Sequence, residues 1–141
     1  MRQNLDIIYF TLFPWENPYS SVSLSFAKEF AKNNRVFYIN TPYSIKDYFG
    51  ARHTDLAKAR RGKLFQNKMQ YETVPHLSDN IIIAHPPMTV PINWLPNGLL
   101  YRFFHGYNDK VIFNTIRQVI DDYKLKDFIF LNCFNPFHGA V

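Results

Sequence analysis

Three side chains able to move protons sit beside predicted strand ends: Glu16, His85 and His138. Glu16 is the only carboxylate in the loop that follows the first predicted strand. From that place a carboxylate can take the proton of a hydroxyl as a general base, or it can simply stabilise the positive end of the helix that follows. His85 and His138 lie at or just beyond strand carboxyl ends, where an imidazole can reach a ligand or stay a structural or solvated ring. Trp15, Asn40 and Asn135 occupy similar ground as candidate substrate contacts, and Ser20 and Ser21 open the first predicted helix. The five histidines include no His-x-x-x-His pair, so no metal site is expected. The single cysteine, Cys133, allows no internal disulfide and reads as a strand thiol.

The elements that must position these residues are legible in the first forty positions. Leu5 to Thr11 is a nearly continuous apolar run, as expected of a strand covered on both faces in a parallel sheet. From Ser20 the period changes to that of a helix reaching Lys32, with Val22, Phe26 and Phe30 as its apolar stripe beside Ala27 and Ala31. Ser20 or Ser21 supplies a capping hydroxyl, and Asn33-Asn34 a stop. Arg35 to Asn40 is the second strand. Strand, helix and strand open an α/β fold, a Rossmann-like doubly wound and mostly parallel sheet, in which ligands bind beyond the strand carboxyl ends. The Phe13 to Asn17 loop should therefore face the ligand. It contains no glycine, and the second strand ends Asn40-Thr41-Pro42 without an acid, which argues against a dinucleotide site. No Gly-Lys-Ser or Gly-Lys-Thr occurs, so a P-loop is excluded.

Further along, residues 43 to 63 read as an insertion with helical stretches near Ile45 to Phe49 and Thr54 to Arg61. Leu64 to Val74 and Asn80 to Ala84 form an edge hairpin or two successive strands, and His85-Pro86-Pro87 ends the second of them. A helical region runs from Leu99 to Tyr123 with Gly106 as a possible break, and carries Val111, Ile112, Ile116, Val119, Ile120 and Tyr123 at helical spacing. Asp127 to Phe134 is the last strand. At 141 residues this is one domain with a real core.

Charge is concentrated. Residues 41–70 carry seven basic side chains against two acids, while the rest of the chain is balanced. Arg52, Lys58, Arg60, Arg61 and Lys63 lie there among Tyr, Phe and Leu, a composition suited to an anionic membrane surface. A merely solvated basic loop is the plain alternative, and nucleic acid is disfavoured because no recognised binding motif accompanies the charge. No stretch approaches the roughly twenty apolar residues of a membrane span. A cytoplasmic protein is expected, with a peripheral place on the inner face of the membrane if the basic segment binds lipid.

The loop Phe13-Pro-Trp-Glu-Asn-Pro-Tyr-Ser-Ser21, the helix Phe26-Ala-Lys-Glu-Phe-Ala-Lys32 and the strand Arg35-Val-Phe-Tyr-Ile-Asn-Thr-Pro42 together resemble the start of bacterial GT-B glycosyltransferases of the group 1 type. Asp79-Asn-Ile-Ile-Ile-Ala-His-Pro-Pro87 and Leu95-Pro-Asn-Gly98 extend the likeness. The resemblance implies two facing Rossmann-like domains, of which this chain would be the first, the acceptor-side half, inactive alone. It implies transfer of a sugar from a nucleotide donor to a glycan or lipid-linked acceptor in cell-surface polysaccharide or glycolipid synthesis, with no cofactor beyond the donor co-substrate. Glu16 would then be the base of an inverting transfer, and the amides of Ser20, Ser21 and Val22 would receive part of the donor diphosphate. The alternative is a non-catalytic α/β module that docks a partner or membrane through residues 43–68.

Overall fold

A computed structural model describes residues 4–11, 13–16, 22–51, 69–74 and 77–133. In chain order these residues form β1 (Asp6–Thr11), α1 (Val22–Ala31), β2 (Arg35–Ile39), α2 (Ile45–Ala51), β3 (Gln70–Thr73), β4 (Ile81–His85), α3 (Leu99–Tyr123) and β5 (Phe128–Cys133). The sheet order is β3-β4-β2-β1-β5. Four strands are parallel, and β3 closes one edge antiparallel to β4. The sheet is therefore mixed but mostly parallel, and the edge hairpin is the arrangement that the middle section adopts.

Both faces of the central strands are covered, which is why β1 reads as an unbroken apolar run. Ile7 and Tyr9 of β1, Val36 and Tyr38 of β2, and Ile81 and Ile83 of β4 pack under α1 with Leu24, Ala27 and Ala31. Ile8, Phe10, Phe37, Ile39 and Ala84 point the other way, against Ile112, Ile116 and Val119 of α3. The chain thus turns outward from β1 to β2 and β4 and returns to β5 on the far side of β1. That reversal is where open α/β sheets leave a crevice.

Two helices differ from the sequence expectation. The buried face of α1 is Ser23, Leu24, Ala27 and Ala31, whereas Val22 and Phe26 are 61% and 47% exposed. The alanines let the helix backbone come close to the sheet, and Phe26 is left to stack on Phe30 at the flank, centroids 6.2 Å apart. α3 is a single helix through Gly106. It ends at Lys124, whose left-handed backbone (φ 52°) lets its N–H reach the carbonyls of Asp121 and Ile120.

Of the other expectations, α2 matches the first helical stretch of the insertion, and Thr54 to Arg61 lies outside the described residues. Among the described residues no helix is long and apolar enough to cross a membrane.

Candidate functional site

Side chains alternate between faces along a strand, so residues two apart share a face. Continuing the α1 face of each strand to its carboxyl end gives Thr11 after Ile7 and Tyr9, Asn40 after Val36 and Tyr38, and His85 after Ile81 and Ile83. In β3, Tyr71 packs on the α3 face, which turns Glu72, opposite Ile83, to the α1 face. Strand register alone therefore collects Thr11, Asn40, His85 and Glu72 at one corner of the sheet.

Asn40 organises this corner. Its side chain is fully buried. Its Oδ1 accepts hydrogen bonds from the backbone N–H groups of Trp15 (3.3 Å) and Thr41 (3.0 Å), which fixes the orientation of the amide. Its Nδ2 donates to the Glu16 carboxylate, 3.3 and 3.1 Å from the two oxygens, and to His85 Nδ1 at 3.3 Å. All four hydrogen-bonding positions of the amide are thus used inside the protein. Because His85 Nδ1 accepts, the neutral ring carries its proton on Nε2 and donates it to Glu72 Oε2 at 3.0 Å. The corner is a chain of contacts, Glu16 to Asn40 to His85 to Glu72, linking the β1 loop, β2, β4 and β3.

The loop that carries Glu16 is pinned from below. Tyr38 donates its hydroxyl to the Phe13 carbonyl at 2.7 Å, and the Phe13 N–H reaches Thr11 Oγ1 at 3.3 Å. Burial, reinforced by the charge of Glu16 and by Tyr9, raises the Tyr38 pKa above its ordinary value, so the phenol stays neutral and keeps donating. Tyr9 is raised as well, first by burial and then by its contact with Cys133. Its hydroxyl lies beside Cys133 and Ser23, yet Tyr9 Oη, Ser23 Oγ and Trp15 Nε1 are buried without a well-formed hydrogen bond. Trp15 packs its ring against the α1-side core.

The structure brings together Glu16, Trp15, Asn40 and His85 of the residues singled out in the sequence. Asn40 and His85 are turned toward protein groups, as parts of the scaffold that holds Glu16. Ser20, Ser21, Asn135, His138, Arg52, Lys58, Arg60, Arg61 and Lys63 lie outside the described residues. Glu72 and Tyr38 were not anticipated. Tyr38 could have been found from the strand period, but Glu72 needed the register of an edge strand.

A polar cavity of about 410 Å³ lies at the opposite end of the sheet, lined by Asn4, Asp6, Lys32, Arg35 and Asn80 among others. Its groups serve the fold: Arg35 forks onto Asp6 at 2.7 and 3.0 Å, and Asn80 Nδ2 donates to the Ala31 carbonyl. The corner at Asn40 is the better candidate because its polar groups converge at the carboxyl ends of parallel strands. Comparison with known proteins gives no match to any family model, curated protein or solved structure.

Proposed function

We propose that this chain is the acceptor-side, Rossmann-like half of a GT-B glycosyltransferase that moves a sugar from a nucleotide donor to a hydroxyl acceptor in cell-surface polysaccharide or glycolipid synthesis. The supporting observation is the placement of the Glu16 carboxylate by Asn40 at the carboxyl ends of adjacent parallel strands. In this reading Glu16 takes the acceptor's proton as the acceptor oxygen bonds to the anomeric carbon. The bond from that carbon to the nucleotide diphosphate breaks, and the diphosphate leaves with the electron pair. Asn40, His85 and Glu72 are positioning residues that keep the carboxylate in place.

The test is transfer of labelled sugar from a panel of nucleotide sugars to glycan and lipid-linked acceptors by the intact protein as its source cells make it. Glu16→Gln should lower transfer about a hundredfold or more, a typical general-base contribution, while leaving the melting temperature unchanged. Transfer indifferent to Glu16→Gln, or no transfer from any donor, overturns the reading. A non-catalytic module docking through residues 43–68 is the second reading, favoured by the exposed Ile45 and Phe49 of α2.

A further inference from the structure

Helix α3 is longer than the sheet it covers. Its 25 residues span about 37 Å, whereas a six-residue strand such as β1 spans about 20 Å. The residues buried against the sheet are concentrated in its second half, at Ile112, Thr115, Ile116 and Val119. The first half overhangs the carboxyl ends of the strands, the end that carries Glu16, Asn40 and His85. It is anchored there by Asn108, whose side-chain amide clamps both the N–H and the carbonyl of Val90 at 2.9 Å.

The outward face of that overhang is apolar. Leu99, Phe103 and Tyr107 follow one another at intervals of four, with Leu100 beside them, on the side of the helix away from the buried residues. Leu99 is 86% and Phe103 70% exposed, and Trp94, in the loop leading into the helix, is 68% exposed. Past Tyr107 the same face continues as Lys110, Asn114, Arg117 and Asp121, an ordinary polar helix surface. The hydrophobicity is therefore local to the overhang and is not a property of the whole helix.

The surroundings are cationic. Arg102 and Lys110 flank the stripe, and the one acid in this half of the helix, Asp109, lies 2.8 Å from His105. The basic segment joins the fold at the same end. It leaves from α2, whose first turn is tied to Thr89, next to the Val90 that Asn108 holds. It returns at Gln70, which pairs with His85 at the carboxyl end of β4. Residues 41–70 carry the chain's whole net charge of +5.

We propose that the outward face of Leu99, Leu100, Phe103 and Tyr107, with Trp94, is a docking face for an anionic membrane surface. Leucine and aromatic side chains that enter the headgroup boundary, ringed by cations that meet anionic headgroups, are the pattern of an interfacial helix. Charge selects this occupant over a second copy of the chain, because a symmetric pair would bring two +5 segments together. The inference goes beyond the transferase reading and does not depend on it, since vesicle binding and sugar transfer are measured separately.

Co-sedimentation of the full chain with vesicles of phosphatidylcholine alone, and of phosphatidylcholine mixed with phosphatidylglycerol, tests the proposal. The chain should sediment with the anionic vesicles only, with a blue shift of tryptophan emission that Trp94→Phe removes. The paired change Leu99→Ser and Phe103→Ser should reduce partitioning about tenfold or more, while circular dichroism and melting stay as in the parent. Failure of the parent chain to sediment overturns the proposal. So does sedimentation that the paired change leaves intact, which would assign lipid binding to the basic segment alone. A concentration-dependent dimer that the paired change dissolves, without vesicle binding, would assign the face to a second copy and also overturn it.

Discussion

The Asn40 amide and the His85 ring, forty-five residues apart in sequence, meet at 3.3 Å because each continues the α1 face of its own strand by one step. Asn40→Ala would leave the Trp15 and Thr41 N–H groups without their acceptor and Glu16 without its donor. The expected loss of stability is about 1–3 kcal/mol, the cost of unsatisfied buried polar groups, read from urea denaturation. A change below a few tenths of a kcal/mol would show that the network does not organise the corner.

The face by which α1 meets the sheet can be measured directly. Leu24→Ala should cost about 2–3 kcal/mol, since Leu24 is buried in the core under α1, whereas Val22→Ala should cost under about 0.5 kcal/mol. Equal losses at the two positions would restore the stripe that periodicity suggested.

Helix α3 carries glycine where alanine suits it and lysine where glycine does. A Cβ at Gly106 would meet nothing within 4 Å, and Lys124 sits at φ 52°. Gly106→Ala and Lys124→Gly should each stabilise by about 0.5–1 kcal/mol in thermal or urea melts, and the two gains should add. Destabilisation by Gly106→Ala would mean that its open side is in use.

Alkaline pH should unfold the protein through its buried phenols. Burial raises the folded-state pKa of Tyr9 and Tyr38, while in the unfolded chain these phenols ionise near about 10. Their contribution is fully present below that value and is lost as pH rises from there toward the folded-state pKa, because unfolding then releases protons. Each such tyrosine should steepen the fall by up to about 1.4 kcal/mol per pH unit. Tyr9→Phe should flatten the fall, and a profile unchanged by it would show that Tyr9 ionises alike in both states.

The central strands were legible in the sequence because burial on both faces leaves a continuous apolar run, and β1, β2 and β4 all have one. Glu16, Asn40 and His85 were legible as strand-end residues, but their meeting was not, since it depends on the lateral order of strands. Glu72 was hidden because it belongs to an edge strand of four residues with a weak pattern. The face of α1 was misread because spacing counts Phe26 and Ala27 as equally apolar neighbours, whereas close approach to a sheet favours the smaller one. Asn108 was invisible for another reason: its partner is the backbone of Val90, and backbone contacts leave no mark on the partner's residue type.

Helix α3 is also a rod fixed at one end. Near its last residue the ring of Tyr123 stands edge-on to Phe37 at 4.7 Å and to Tyr71 at 5.1 Å, and no break separates this end from Leu99. Torque applied at the overhang is therefore transmitted to the sheet without a hinge to absorb it. The domain has a handle, and whatever grips it sets the direction in which the crevice opens.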